Sequence, residues 1–402
     1  MVSKAQDWAQ WRGENREGIV KATGLNLDWS EKKPQILWTY RQAGAGYSAP
    51  TIVRTTLYCQ GASEGSDFAF ALDTRTGKLK WHQVLGAEFI QDRGNGPRGS
   101  VTVDGDKVFL IRGGGQIHCL SAADGQILWT KDLIKDFGGK IMSEWGFSES
   151  PLIDGNLLIC TPGGVGGTLI ALDKNTGNLI WKSKEWTDDA GYSSPVVVEV
   201  EGVRQYIQQS SKGVAGVLAK DGKLLWRVEI DGYRGAVIAT PVYFDHTVFV
   251  TSWSANCAAI RLTKMGEDFK SDIVYMNKNL INHHGGVVLV NGYIYGFADG
   301  LGWTCLNFKT GEVVWRHRVP NDIFKGAVIA VQDRLLLLDE KKGLLVVAAA
   351  SPEGWKEYGR MDIPERSKVE TMDNMVWAHP VIADGKLFLR DQDLLFCFNL
   401  AR

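Results

Sequence analysis

One phrase recurs along this chain, and it constrains the fold more than any other feature. It reads ALDTRTGKLKW at 71–81, CLSAADGQILW at 119–129 and ALDKNTGNLIW at 171–181. It returns as LAKDGKLLW at 218–226 and CLNFKTGEVVW at 305–315. Trp38, Trp81, Trp129, Trp181 and Trp226 follow one another at roughly 40–50 residues, and Trp315 lies about two periods on; such a period suits propeller blades of four strands each.

The stretch 147–181 shows what one repeat encodes. Ser150 to Ile153 has strand character, and Asp154-Gly155 is a hairpin signal. Leu157 to Thr161 and Thr168 to Asp173 are the next strands. Asn175-Thr176-Gly177 forms a tight turn, with glycine supplying the positive φ. Leu179 to Lys182, carrying Trp181, is the outer strand. First strands are expected near Thr51, Val101, Leu152, Val196, Val242, Val288, Ile329 and Val381, which makes an all-β, eight-bladed propeller. The fifth and seventh repeats lack the terminal Trp. The eighth stops after three strands, so PQILWTY at 34–40 is expected to supply its fourth and close the ring. Residues 1–33 would then be an arm lying outside it, and 34–402 a single propeller domain.

Composition narrows the partners. Forty-five Lys and Arg against 46 Asp and Glu leave a formal net charge of −1, which gives no electrostatic case for nucleic acid or an anionic membrane. No apolar run approaches the ~18 residues of a membrane helix. The N-terminus MVSKAQDWAQW has no apolar core of a signal peptide. The expectation is a cytoplasmic protein, or a periplasmic or secreted one if a leader has been removed, and a monomer. The six cysteines form no CxxC or metal-ligand spacing, and Cys119, Cys305 and Cys397 align with Ala71, Ala171 and Ala259 as small buried residues.

The pattern A-x-D-x-x-T-G-x-x-x-W, matched in full at 71–81 and 171–181, resembles the tryptophan-docking repeat of pyrroloquinoline-quinone-like (PQQ-like) propellers. The segments DWAQWRG, WGFSESP, AGYSSPVV, NHHGGVV and WAHPVIADGKLFLRDQD look like those of stand-alone bacterial members. The resemblance implies two functional branches, quinoprotein dehydrogenases and the scaffold of the outer-membrane assembly machine. The first implies PQQ and Ca²⁺. Its vicinal Cys-Cys has no counterpart here, and there is no CxxCH haem motif. No metal site is expected from the spacing.

In a propeller, ligands bind where inner strands begin. Aligning the repeats on Pro50, Pro151, Pro195, Pro241 and Pro380 gathers Tyr47, Ser48, Arg98, Glu149, Tyr192, Ser193, His283, His284, Lys325, Trp377 and His379 at one rim, with Trp145 and Asp373 on loops above. Imidazoles suit proton transfer. Arg98 and Lys325 suit an anionic group, and Tyr47, Tyr192, Trp377 and Trp145 offer flat surfaces for a sugar or aromatic ring. Simpler roles stand beside these. Glu149 would pair with Arg98, His283 and His284 would be a loop residue and a strut, His379 would bond backbone carbonyls, and Lys325 would be solvated.

Three functions remain open on these residues. The first is a propeller that binds a small molecule, glycan or protein partner. The second is a hydrolase or lyase with Glu149, His284 or His379 as acid–base groups and Arg98 or Lys325 stabilising negative charge. The third is a quinone-dependent dehydrogenase.

Overall fold

The computed structural model describes residues 7–233, 235–318 and 322–401. The first six residues, on which the leader expectation bears, lie outside the described ones. Eight antiparallel sheets follow one another along the chain, so the fold is an eight-bladed β-propeller. Blades 1 to 7 span residues 51–87, 102–132, 152–182, 196–229, 242–277, 287–317 and 326–362, each with its first strand innermost. Blade 8 takes Val381–Ala383, Lys386–Asp391 and Leu394–Asn399, and its outer strand is Gln35–Tyr40 from the other end of the chain. Trp38 pairs with Cys397 in that closure, as the sequence predicts.

The repeated phrase has a packing explanation. Each outer-strand aromatic sits opposite a small third-strand residue: Trp81 opposite Ala71, Trp129 opposite Cys119, Trp181 opposite Ala171 and Trp315 opposite Cys305. The indole Nε1 then reaches forward and donates to the next blade. Trp38 bonds the carbonyl of Thr74 at 3.0 Å, Trp81 that of Ala122 at 3.0 Å and Trp129 that of Lys174 at 3.1 Å. The turn glycine of that next blade lies on the ring. A Cβ at Gly77 would come within 2.8 Å of Trp38, and one at Gly125 within 2.5 Å of Trp81. These glycines have φ near +70° to +80°, so both the ring contact and the backbone exclude a side chain. Blade 5, which lacks the Trp, uses Tyr275 in its place. The Tyr275 hydroxyl donates to the Phe308 carbonyl at 3.0 Å, and Gly311 lies against its ring.

The arm does not stay outside the ring. It lies against the inner ends of blades 1 to 7 and satisfies open backbone groups there. Trp8 pairs with Ile52 of blade 1, and the Ala9 carbonyl accepts the Val103 amide of blade 2. Arg16 donates to the carbonyls of Ser150, Pro151 and Pro195. Trp11 donates to Thr240 at 2.9 Å, and Arg12 to the Val287 carbonyl. Ile19–Val20 then adds to blade 7 as a fifth, parallel strand. An inner strand has one unpaired edge facing the channel, and buried carbonyls there need donors. The guanidinium forks of Arg12 and Arg16, both at φ near +60°, provide them.

Arg390 fastens the last blade to the first. Its buried guanidinium donates to the carbonyls of Ser48 at 3.0 Å, Gln60 at 2.7 Å and Gly44 at 2.9 Å. Replacing it with Ala is expected to lower stability by roughly 3 kcal/mol or more, since each stranded buried carbonyl costs about 1–3 kcal/mol. Arg390→Lys should recover little, because an ammonium cannot reproduce the fork. Urea unfolding checks both, and a Lys variant as stable as wild type would show that charge alone suffices.

Candidate functional site

Because the arm crosses the channel, the mouth ends blindly. A cavity of about 630 Å³ opens where the inner strands begin, and Trp11, Arg12 and His379 contribute to its lining. Gln10, Glu14 and Glu17 of the same arm line hollows toward the other end of the inner strands.

The walls are aromatic. Tyr47 and Trp377 have ring centroids 4.8 Å apart, Trp145 stacks on Tyr192 at 5.8 Å, and Trp253 lies 5.1 Å from His283. Trp11 packs on the His379 ring at 4.5 Å. Arg98 donates to the carbonyls of Gly96 at 2.7 Å and Gly94 at 2.9 Å, with its guanidinium over Phe89 at 5.0 Å. Burial lowers its pKa. The expected pairing of Arg98 with Glu149 does not occur. Arg98 is held by loop carbonyls, so its charge stands against the aromatic wall without a carboxylate. Higher on the mouth, Arg93 pairs with Asp373 at 2.6 Å.

The histidines and Lys325 form one network with a residue the sequence reading missed. Glu340 follows the second strand of blade 7, Arg334–Asp339, and is buried. Its carboxylate accepts His284 Nε2 and Trp377 Nε1, the latter at 2.7 Å, and Lys325 Nζ lies 3.6 Å away. Burial pushes this carboxyl up, but the bond from His284 and the charges of His284 and Lys325 outweigh it, so its pKa lies below the usual value. Lys325 is not free in solvent. It reaches His283 Nδ1 at 3.1 Å and Asp299 at 3.3 Å. Burial, then the charges of His284 and Lys325, push His283 down to about 3. His379 is pushed well below the usual range by burial, with Arg12 and His284 adding to the effect. His283 and His379 are therefore neutral at physiological pH. Among the described residues His379 Nδ1 has no hydrogen-bond partner, where the simpler reading expected bonds to backbone carbonyls.

Other predicted residues serve the frame. Ser48 donates to the Gly99 carbonyl at 2.6 Å and Ser193 to that of Ala239 at 2.9 Å, both tying neighbouring blades. Glu149 is buried and does not line the cavity. It accepts the Thr161 amide at 2.6 Å, and Gln208 Nε2 lies 3.4 Å away. Burial raises its pKa to about 7, against hydrogen bonds from Thr161 and the charge of Arg16. Nothing in the local sequence marked Glu340, since an acidic pair before Lys-Lys-Gly has the composition of a surface turn.

A ring of eight such repeats around a mouth of this kind defines a PQQ-like propeller. The chain belongs to the family of the outer membrane protein assembly factor BamB, whose family model matches residues 70–300. BamB of Yersinia pestis is 24% identical over 377 residues, covering 80% of this chain and 91% of its own length. BamB of Moranella endobia is 24% identical over 322 residues, covering 75% of this chain and 76% of its own. Among solved structures, BamB from Moraxella catarrhalis superposes with a TM-score of 0.64 at 14% identity, over 91% of this chain and 98% of that one. Quinohemoprotein alcohol dehydrogenase from Comamonas testosteroni superposes with a TM-score of 0.65 at 11% identity, over 98% and 80%. Both structures show the fold alone.

The dehydrogenase fold raises the question of a quinone with Ca²⁺. Ca²⁺ takes six to eight oxygen ligands. Among the described residues no group of three or more His, Cys, Asp or Glu is placed to hold a metal ion. Glu149 is spent on Thr161 and Gln208, and Glu340 on His284 and Trp377. The donor set does not fit the pair.

The position of Glu149 makes a pH prediction. Its carboxyl keeps a proton in the folded chain up to about pH 7, while the unfolded chain loses it near 4.5. Its contribution therefore falls as pH rises between these values and is constant outside them. Relative to Glu149→Gln, wild type should lose stability across that window in urea unfolding. A constant difference would show that Glu149 is ionised in the folded state.

Proposed function

We propose that this BamB-family propeller captures a small molecule at its closed mouth, and that the ligand is a flat ring, sugar or aromatic, bearing an acidic group. The observation that carries this is the arm across the channel. A through-channel gives a ligand two solvent-exposed ends, whereas a blind, aromatic-walled cavity removes most of a ligand's surface from water. Tyr47, Trp377 and Trp145 supply flat apolar area. Arg98, which forms no salt bridge among the described residues, supports the choice of an anion. The names of the relatives, which place them in outer membrane protein assembly, support a periplasmic setting and leave the blade faces and outer loops as surfaces for a protein partner.

The aromatic sulfonate 1-anilinonaphthalene-8-sulfonate is a suitable probe, having both a flat ring and an anion. It should bind saturably with one site per chain. Trp377→Ala and Arg98→Ala should each weaken binding about tenfold, the equivalent of roughly 1.4 kcal/mol. Lys78→Ala, on an exposed turn, should leave it unchanged. Calorimetry showing no saturable site, or equal binding by all variants, would exclude the mouth as the ligand site.

A further inference from the structure

We infer that the mouth is also a proton-abstracting site, with His284 as the base and Glu340 as the residue that positions it. The inference rests on the pocket reading above and adds chemistry to it. The substrate class is a flat ring bearing an acidic C–H bond and a leaving group that departs as an anion.

The backbone brings the pair together at some cost. His284 is followed by Gly285 and Gly286, at φ +87° and +67°. A Cβ on Gly285 would lie 1.9 Å from the Gly326 carbonyl oxygen, and one on Gly286 2.6 Å from an Arg12 guanidinium nitrogen. Only two glycines let this loop press against blade 7 and the arm, which carries the imidazole across to Glu340 on the neighbouring blade. Glu340 is held in turn through its backbone. Its amide donates to the Lys325 carbonyl at 2.9 Å, and its carbonyl accepts the Val376 amide at 2.6 Å.

The hydrogen bonds then decide where the proton sits. Ionised Glu340 can only accept. It takes bonds from Trp377 Nε1 and from His284 Nε2, so Nε2 must carry the hydrogen. In the neutral imidazole the lone pair is then on Nδ1. Among the described residues Nδ1 of His284 has no hydrogen-bond partner, and His284 lines the cavity. A histidine serving only as a strut would be expected to use both nitrogens, as buried polar groups generally do. A carboxylate behind one nitrogen of a cavity-lining imidazole, with the other nitrogen left without a partner, is the arrangement that orients a general base and stabilises the imidazolium formed when it takes a proton. The other two imidazoles lack this arrangement. His283 Nδ1 is occupied by Lys325, and among the described residues no carboxylate is hydrogen-bonded to His379, whose Nδ1 is buried without a partner.

In the step proposed, the C–H bond of the substrate breaks and its proton passes to His284 Nδ1. The C–H electron pair forms a new π bond, and the bond to the leaving group breaks with its pair, giving an anion. The positive charges on Arg98 and Lys325 lie on the walls that meet that anion.

The test uses the full chain with 5-nitrobenzisoxazole, a flat carbon acid that needs only a base. Loss of its C3 proton to Nδ1 forms the nitrile and breaks the N–O bond, releasing a yellow phenolate. Binding is followed separately, by quenching of tryptophan fluorescence. The expected result is a saturable rate. His284→Gln should lower kcat by roughly 100-fold or more, the scale of general base catalysis, with quenching unchanged. His284→Asn, which retains a donor toward Glu340, should do the same and guards against a folding defect. Glu340→Gln should lower kcat about tenfold with KM unchanged, which loss of a purely structural residue would not produce. Saturable quenching with no saturable rate, or with a rate that survives both His284 variants, overturns the base and leaves the pocket standing. Absence of quenching overturns both.

Discussion

Most blades of this propeller are held by a contact they cannot make alone. An aromatic ring on the outer strand lies over a glycine turn of the next blade and donates a hydrogen bond to a carbonyl there. The ring needs a small residue opposite it in its own blade, and Ala or Cys serves equally at that position. The requirement explains why Cys119, Cys305 and Cys397 are where they are. They are chosen for size, and burial pushes Cys119 and Cys397 up to about 12, where a thiol is inert as a nucleophile. It also explains why Tyr275 can replace a tryptophan, since a phenol offers both a flat face and a donor.

A ring built of such pairwise contacts has a hole, and the proposed site lies at its mouth. Inner strands expose one edge of unpaired backbone to it, and the arm uses that edge. Trp8, Ala9, Trp11, Arg12, Arg16 and Ile19–Val20 meet the inner ends of different blades, so the arm acts as a shared partner for seven of them. The same contacts seal the channel. Sealing lowers the local dielectric, which is the physical reason the buried ionisable groups around it depart so far from their usual behaviour. His283 and His379 lose their charge. Glu340 keeps its charge only because several donors converge on it.

The repeats were legible because packing imposes the same contact on most of the blades. The strand order and the closure by residues 34–40 follow from one register rule and an incomplete last repeat. The rim was legible as a set of residues, because Pro-anchored inner strands bring their preceding loops to one end. What it could not reveal was direction. Ser48 and Ser193 occupy rim positions but turn toward neighbouring carbonyls, and Glu149 turns toward Thr161 and Gln208. Alternation along a strand fixes a face only within the strand, and these residues sit just before it. The arm was illegible for another reason. Its partners are backbone carbonyls, which have no sequence signature. The only sign was two arginines and two tryptophans in a short segment with no periodicity, where a solvent-exposed tail would carry fewer of them.

The same architecture carries scaffolds and dehydrogenases, so the ring itself does not choose a chemistry. The choice lies in what fills the mouth and in which carboxylates are left unspent there. A metal-dependent site needs several oxygens held apart from donors, so that a cation can take them. Here the two buried carboxylates nearest the question are already committed, Glu149 to the frame and Glu340 to an imidazole and an indole. In the chemistry proposed here, a carboxylate given to an imidazole serves to orient a base and is no longer open to a cation. That carboxylate is a single residue after the second strand of blade 7.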